Sequence, residues 1–93
     1  MKVSSQLDKV LLMDDDKAVR EVAAELLRFL GFEVSLACDG EEAIEKYSRE
    51  LKVSGKPFDV VIVDLTIPCG MDGSQCAKEL KKIDPDANII LSS

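Results

Sequence analysis

Two hydrophobic rhythms take turns along this chain. Val10-Leu11-Leu12-Met13 is a short unbroken apolar run, the pattern of a strand buried on both faces, and it stops abruptly at Asp14-Asp15-Asp16. The spacing then lengthens. Val19, Val22, Ala23, Leu26 and Leu30 recur at helical intervals, and Gly31 supplies the stop. Phe32 to Ala37 alternates enough for a second strand. Asp39-Gly40 opens a second helix with the apolar stripe Ala43, Ile44, Tyr47 and Leu51. Glu41 and Glu42 fall in its first turn, where free N–H groups favour negative charge. Ser54-Gly55-Lys56-Pro57 reads as a loop. Val60-Val61-Ile62-Val63 is the strongest strand signal, and it too runs into an aspartate, Asp64. Pro68, Gly70 and Gly73 mark a loop. Ala77, Leu80 and Ile83 predict a third helix, closed by Asp84-Pro85, and Ile89-Ile90-Leu91 a fourth strand running into Ser92-Ser93. Residues 1–8 read as a polar lead-in and 9–93 as one domain.

Strands that alternate with helices imply an α/β domain built on a parallel sheet with right-handed crossovers. In such sheets ligands bind beyond the carboxyl ends of the strands. Asp14, Asp15, Asp64, Thr66, Ser92 and Ser93 all fall at such ends, on the first, third and fourth strands.

Composition narrows the chemistry. The 93 residues suffice for one small domain with a modest core. A net charge of −6 argues against gripping DNA, RNA or an anionic membrane, since phosphate binding needs Lys/Arg patches. It suits a site that takes a divalent cation, although an ordinary acidic surface would give the same balance. The three cysteines, Cys38, Cys69 and Cys76, fit no zinc spacing, and the chain has no histidine to complete such a site. Reduced thiols in the cytoplasm are expected, with Cys69 in a loop as the one candidate for reactivity. No apolar run approaches the roughly 20 residues of a membrane span. The first residues lack an apolar signal core.

If the first and third strands are neighbours, carboxylates meet at one edge, and a divalent cation relieves their repulsion. Mg²⁺ prefers oxygen ligands, so Asp15, Asp64 and the Thr66 carbonyl are the expected direct ligands, with Asp14 acting through bound water. A carboxylate can also attack phosphorus to give an aspartyl phosphate, and Asp64, alone after its strand, is the best placed. Ser92, at the end of the adjacent strand, could donate to a phosphoryl oxygen. Each piece has a plainer reading. The aspartate triplet can simply cap the first helix, Asp64 can be a turn residue, and the serines can be polar because the chain is ending. The joint pattern favours the functional reading over these.

The segments Val10-Leu11-Leu12-Met13-Asp14-Asp15, Asp39-Gly40-Glu41-Glu42-Ala43, Asp59 through Pro68, Met71-Asp72-Gly73 and the strand ending in Ser92 resemble, in this order, the receiver domain of two-component response regulators. The resemblance covers about Lys9 to Ser93. It implies a flavodoxin-like doubly wound parallel sheet of order 2-1-3-4. It also implies that Asp64 accepts phosphate from a histidine kinase or phosphotransfer protein. Mg²⁺ would sit around Asp14, Asp15, Asp64 and the Thr66 carbonyl. Ser92 would be the switch hydroxyl and Ser93 the small residue after it. The domain would be a signalling module rather than an enzyme. The sequence departs from the family in two places. The loop from Pro68 to Gly73 is one residue longer than the commonest form, resembling receivers attached to hybrid histidine kinases. The family's fifth strand, last two helices, active-site lysine and switch aromatic have no counterpart, which suggests a fragment. Ile89-Ile90-Leu91 would then be an apolar edge open to pairing with a second copy. Two alternatives stand beside this reading. One is an interaction module without phosphoryl chemistry. The other is a haloacid-dehalogenase-type phosphatase, which would use the Asp14-x-Asp16 spacing.

Overall fold

The computed structural model describes residues 8–55, 57–65 and 73–92. Seven elements follow one another: β1 (Lys9–Met13), α1 (Lys17–Phe29), β2 (Glu33–Ala37), α2 (Gly40–Ser54), β3 (Val60–Asp64), α3 (Gly73–Ile83) and β4 (Ile89–Ser92). The strands form one parallel sheet in the order β2-β1-β3-β4. The chain moves from β1 outward to β2, then crosses back over β1 to β3 and on to β4. With crossovers of one hand, that reversal puts α1 on the opposite face from α2 and α3. It also opens a crevice between the carboxyl ends of β1 and β3.

The principal core lies under α2 and α3. Strand residues Leu11, Met13, Ala37, Val61 and Val63 pack there with Ala43 and Tyr47 of α2, Cys76 and Leu80 of α3, and Phe58 and Ala87 from the connections. The register makes this consistent, because Leu11 pairs with Val61 and Met13 with both Ala37 and Val63, which sends these side chains to one face. Val10 and Leu12 point the other way and are also buried, so β1 is covered on both sides, as its unbroken apolar run requires.

Polar contacts fix the ends of the elements. Asp16 caps α1 by accepting from the Val19 N–H, and Asp39 caps α2 by accepting from the Glu42 N–H. Glu42 reaches back to the Cys38 N–H at 2.7 Å, and Lys46 donates to the Leu36 carbonyl; both tie α2 to the end of β2. Past α1, Gly31 takes a φ of 102°, which lets the chain reverse into β2 while the Phe32 N–H closes on the Leu27 carbonyl. Gly55 ends α2 in the left-handed conformation, one residue into the stretch read from the sequence as a loop. At the amino ends of the strands, Asp59 links three of them. It accepts from the Lys9 N–H at 2.6 Å, donates its own N–H to the Lys9 carbonyl, and accepts from Asn88.

The helix α1 forms over the expected residues, but its apolar stripe does not enter the core. Val19, Val22, Leu26 and Leu30 are more than half exposed, and Ala24 is the helix residue that is buried. The physical reason is which side meets the sheet: α1 lies over β1 and β2 with Ala24 buried and Arg20, Ala23 and Leu27 partly buried, which turns the other apolar residues outward. The stripe of α2 behaves as its spacing predicts, with Ala43 and Tyr47 fully buried.

Candidate phosphoacceptor site

Asp14 and Asp64 reach the same place by two routes. Each follows the last apolar residue of its own strand run, and those residues, Met13 and Val63, are register partners. The ladder therefore sets the two aspartates side by side at the crevice. Asp15 comes next on the loop that leads into α1. Asp14, Asp15 and Asp64 each offer a carboxylate oxygen, and these oxygens lie within 4.8 Å of one another. Asp64 is buried, at 8% exposure, whereas Asp14 is half-buried and Asp15 exposed. A buried carboxylate beside two others is costly without a compensating cation.

The electrostatics agree. Partial burial is the main cause holding the Asp14 carboxyl above the usual carboxylate range. Asp64, which is hydrogen-bonded to it, and Asp15 push the same way, while the Asp16 N–H works against them. An all-oxygen donor set with excess negative charge suits a hard divalent cation, so the residues fit Mg²⁺.

The loop after β1 is tightly held. The Asp14 N–H continues the sheet by donating to the Ala37 carbonyl at 3.1 Å. The Asp14 carboxylate accepts from the Asp16 N–H at 2.9 Å. Its carbonyl accepts from Nη1 of Arg20 at 2.7 Å. Sequence reasoning singled out the acids and missed Arg20, because nothing in its local pattern shows that a side chain six residues on folds back to the strand end.

The aspartate triplet thus divides its work. Asp16 is the helix cap that the plainer reading expected, while Asp14 and Asp15 join Asp64. Asp16 is not among the converging carboxylates and accepts instead from the Val19 N–H at the start of α1. Ser92 is the register partner of Asp64, and its carbonyl accepts from the Leu65 N–H at 2.7 Å. That puts Ser92 at the rim of the same crevice. Thr66, Cys69, the loop from Pro68 to Asp72 and Ser93 lie outside the described residues.

Comparison with known proteins agrees with this architecture. A family model described as the response regulator receiver domain matches residues 10–93. The chain is similar to a chemotaxis protein CheY of Thermotoga maritima, 41% identical over 86 residues that make up 91% of this chain and 66% of that protein. It spans 30% and 33% of the next curated relatives, a probable transcriptional regulator ycf27 of Guillardia theta and a response regulator MprA of Mycolicibacterium vanbaalenii. Among solved structures, the response regulator TrrA of Thermotoga maritima in complex with Mg(2+)-BeF superposes with a TM-score of 0.78 at 35% identity, over 91% of this chain and 68% of that one. TrrA bound to the histidine kinase ThkA gives 0.75 at 35% identity, over 91% and 67%. No helix among the described residues is long and apolar enough to cross a membrane.

Proposed function

The chain belongs to the response regulator receiver domain family, and from that membership we propose that Asp64 accepts a phosphoryl group from a histidine kinase or histidine phosphotransfer protein. The observation that carries this reading is the burial of Asp64 at the end of β3, within 4.8 Å of the carboxylates of Asp14 and Asp15. The domain in question is residues 9–93, acting in the cytoplasm as one step of a phosphorelay.

Asp14, Asp15 and Asp64 would hold Mg²⁺, with the Thr66 carbonyl as a further ligand. The ion, when bound, neutralises phosphoryl oxygens and the crowded carboxylates. The chemistry of the chain itself is nucleophilic. A carboxylate oxygen of Asp64 forms a bond to phosphorus in line with the bond that breaks, the one between phosphorus and the donor imidazole. The electron pair of the broken bond stays on the imidazole nitrogen, which takes a proton from solvent. Burial of Asp64 removes competing water hydrogen bonds from the nucleophile and leaves it facing the crevice. The Ser92 hydroxyl, one strand away in register, then donates to a phosphoryl oxygen, and that new hydrogen bond biases the end of β4 toward the phosphorylated arrangement. The presence of Mg(2+)-BeF in the TrrA structure and of a kinase partner in the ThkA complex supports this reading. The exposed Ile90 and Leu91 make β4 the edge at which a second copy would add.

Incubation with Mg²⁺ and a small acyl phosphate, followed by intact-mass measurement, should give one phosphoryl adduct. Chelating the metal or changing Asp64→Asn should remove it. An adduct that persists in Asp64→Asn rules out the assignment. If no adduct forms in the wild type, the interaction module without phosphoryl chemistry becomes the better account.

A further inference from the structure

We infer that Arg20 is a positioning residue for the metal-binding carboxylates, acting through the Asp14 carbonyl rather than through its charge. The inference rests on the phosphoacceptor reading of the site and adds to it a residue outside the acidic cluster.

Arg20 lies one turn into α1, and its Nη1 donates to the Asp14 carbonyl at 2.7 Å in a half-buried setting. That carbonyl shares a rigid, planar peptide unit with the N–H of Asp15. Fixing its direction therefore fixes the plane from which the Asp15 side chain departs. The other bonds around Asp14 hold its two ends, the N–H on Ala37 and the carboxylate on the Asp16 N–H. The bond from the Asp16 N–H closes an Asx turn around the Asp14–Asp15 peptide, whose plane can still flip as the central peptide of a turn does, and the guanidinium on its carbonyl selects one orientation. The same arginine is anchored in α1, whose cap is Asp16, so helix and loop are fastened at two points.

The choice of acceptor matters. A guanidinium paired with the carboxylates would occupy the oxygens a cation needs and would repel the cation. A guanidinium on the backbone carbonyl leaves those oxygens available while it aims them. Groups that orient metal ligands from behind commonly contribute about tenfold or more to metal affinity.

The sign of one measurement separates this role from the alternatives. Mg²⁺ affinity is measured by titration calorimetry for the wild type, Arg20→Met and Arg20→Lys, together with the thermal midpoint of each without metal. Positioning predicts about tenfold weaker Mg²⁺ binding in Arg20→Met. It also predicts partial recovery in Arg20→Lys, which keeps one donor, and faster amide exchange at Asp16 in Arg20→Met. A role through charge alone predicts the opposite sign, tighter binding once a nearby cation is removed. A merely structural role predicts a lower midpoint with unchanged affinity. Either of those two results overturns the inference. Should Arg20→Met fail to fold, Arg20→Lys carries the test: weaker Mg²⁺ binding than wild type is expected, and affinity equal to or tighter than wild type overturns the inference. A wild type that binds no Mg²⁺ overturns the site reading and this inference together, whereas wild-type binding that no Arg20 variant alters overturns this inference alone.

Discussion

Three consecutive aspartates after β1 end up in three different situations. Asp14 is held at its N–H, carbonyl and carboxylate, Asp15 is exposed beside it, and Asp16 caps α1. The triplet was legible in the sequence as a strand end followed by a helix start. Asp14 and Asp15 were the expected site residues; that Asp16 is the member that caps α1 was not singled out, because a cap and an acidic site call on the same residue type. Cys76 shows the same limit. It sits just before Ala77, the first position read as the apolar stripe of α3, yet it is fully buried, with its thiol on the Gly40 carbonyl. Burial pushes that thiol from 9.0 up to about 11. Below pH 9 the thiol is protonated in both the folded and unfolded chain, and its contribution to stability is fully present. Between about 9 and about 11 the unfolded chain gives up the proton while the folded chain keeps it, so stability falls as pH rises. Urea unfolding across this range should show that fall, and Cys76→Ala should lessen its slope. An unchanged slope would mean that the thiol titrates alike in both states. The buried Tyr47 phenol, which donates to Asp84 at 2.6 Å, is also held above its ordinary value by burial and adds in the same direction at higher pH.

At the level of elements, strands and helices follow from the sequence because period and punctuation agree. The runs of β1 and β3 are short and end at aspartates, and α1 and α2 each have an aspartate cap and a glycine just past their last turn. What periodicity does not supply is the area of sheet available to each helix. The stripes of α1 and α3 look alike in sequence, but Leu80 is fully buried and Leu26 is 58% exposed. Truncating Leu80→Ala should cost about 3 kcal/mol, since it removes packed core atoms and leaves a cavity. Leu26→Ala should change stability by about 0.5 kcal/mol or less. Equal losses in denaturant titrations would contradict this division of the two faces. The exposed row on α1 includes Val22 and Leu26, with Phe29 beside it at 86%, and nothing in the spacing of its residues distinguishes it from a core-facing row.

For the molecule as a whole, the site is a consequence of strand order. A chain that steps from β1 to β2 and then returns past β1 to β3 leaves one crevice, and the register of β1 with β3 delivers Asp14 and Asp64 to it. The alternation of elements and the aspartates at strand ends make this arrangement legible in the sequence. The placing of Ser92 beside Asp64 follows from the same expected strand order, whereas the return of Arg20 to the Asp14 carbonyl is an outcome of packing that a local pattern does not encode. The same order accounts for why the acid cluster is asymmetric. Asp64 ends the strand between β1 and β4 and is buried, while Asp14 is half-buried and Asp15 sits exposed on the open loop, so the proposed nucleophile is the most sheltered carboxylate of the three. The most direct measurement chemically traps the phosphorylated residue. The chain is phosphorylated with a small acyl phosphate and Mg²⁺, reduced with borohydride, which converts an aspartyl phosphate to homoserine, and mapped by peptide mass spectrometry. The account predicts homoserine at position 64 alone; homoserine at 14 or 15, or a phosphoryl adduct that survives reduction, would contradict it.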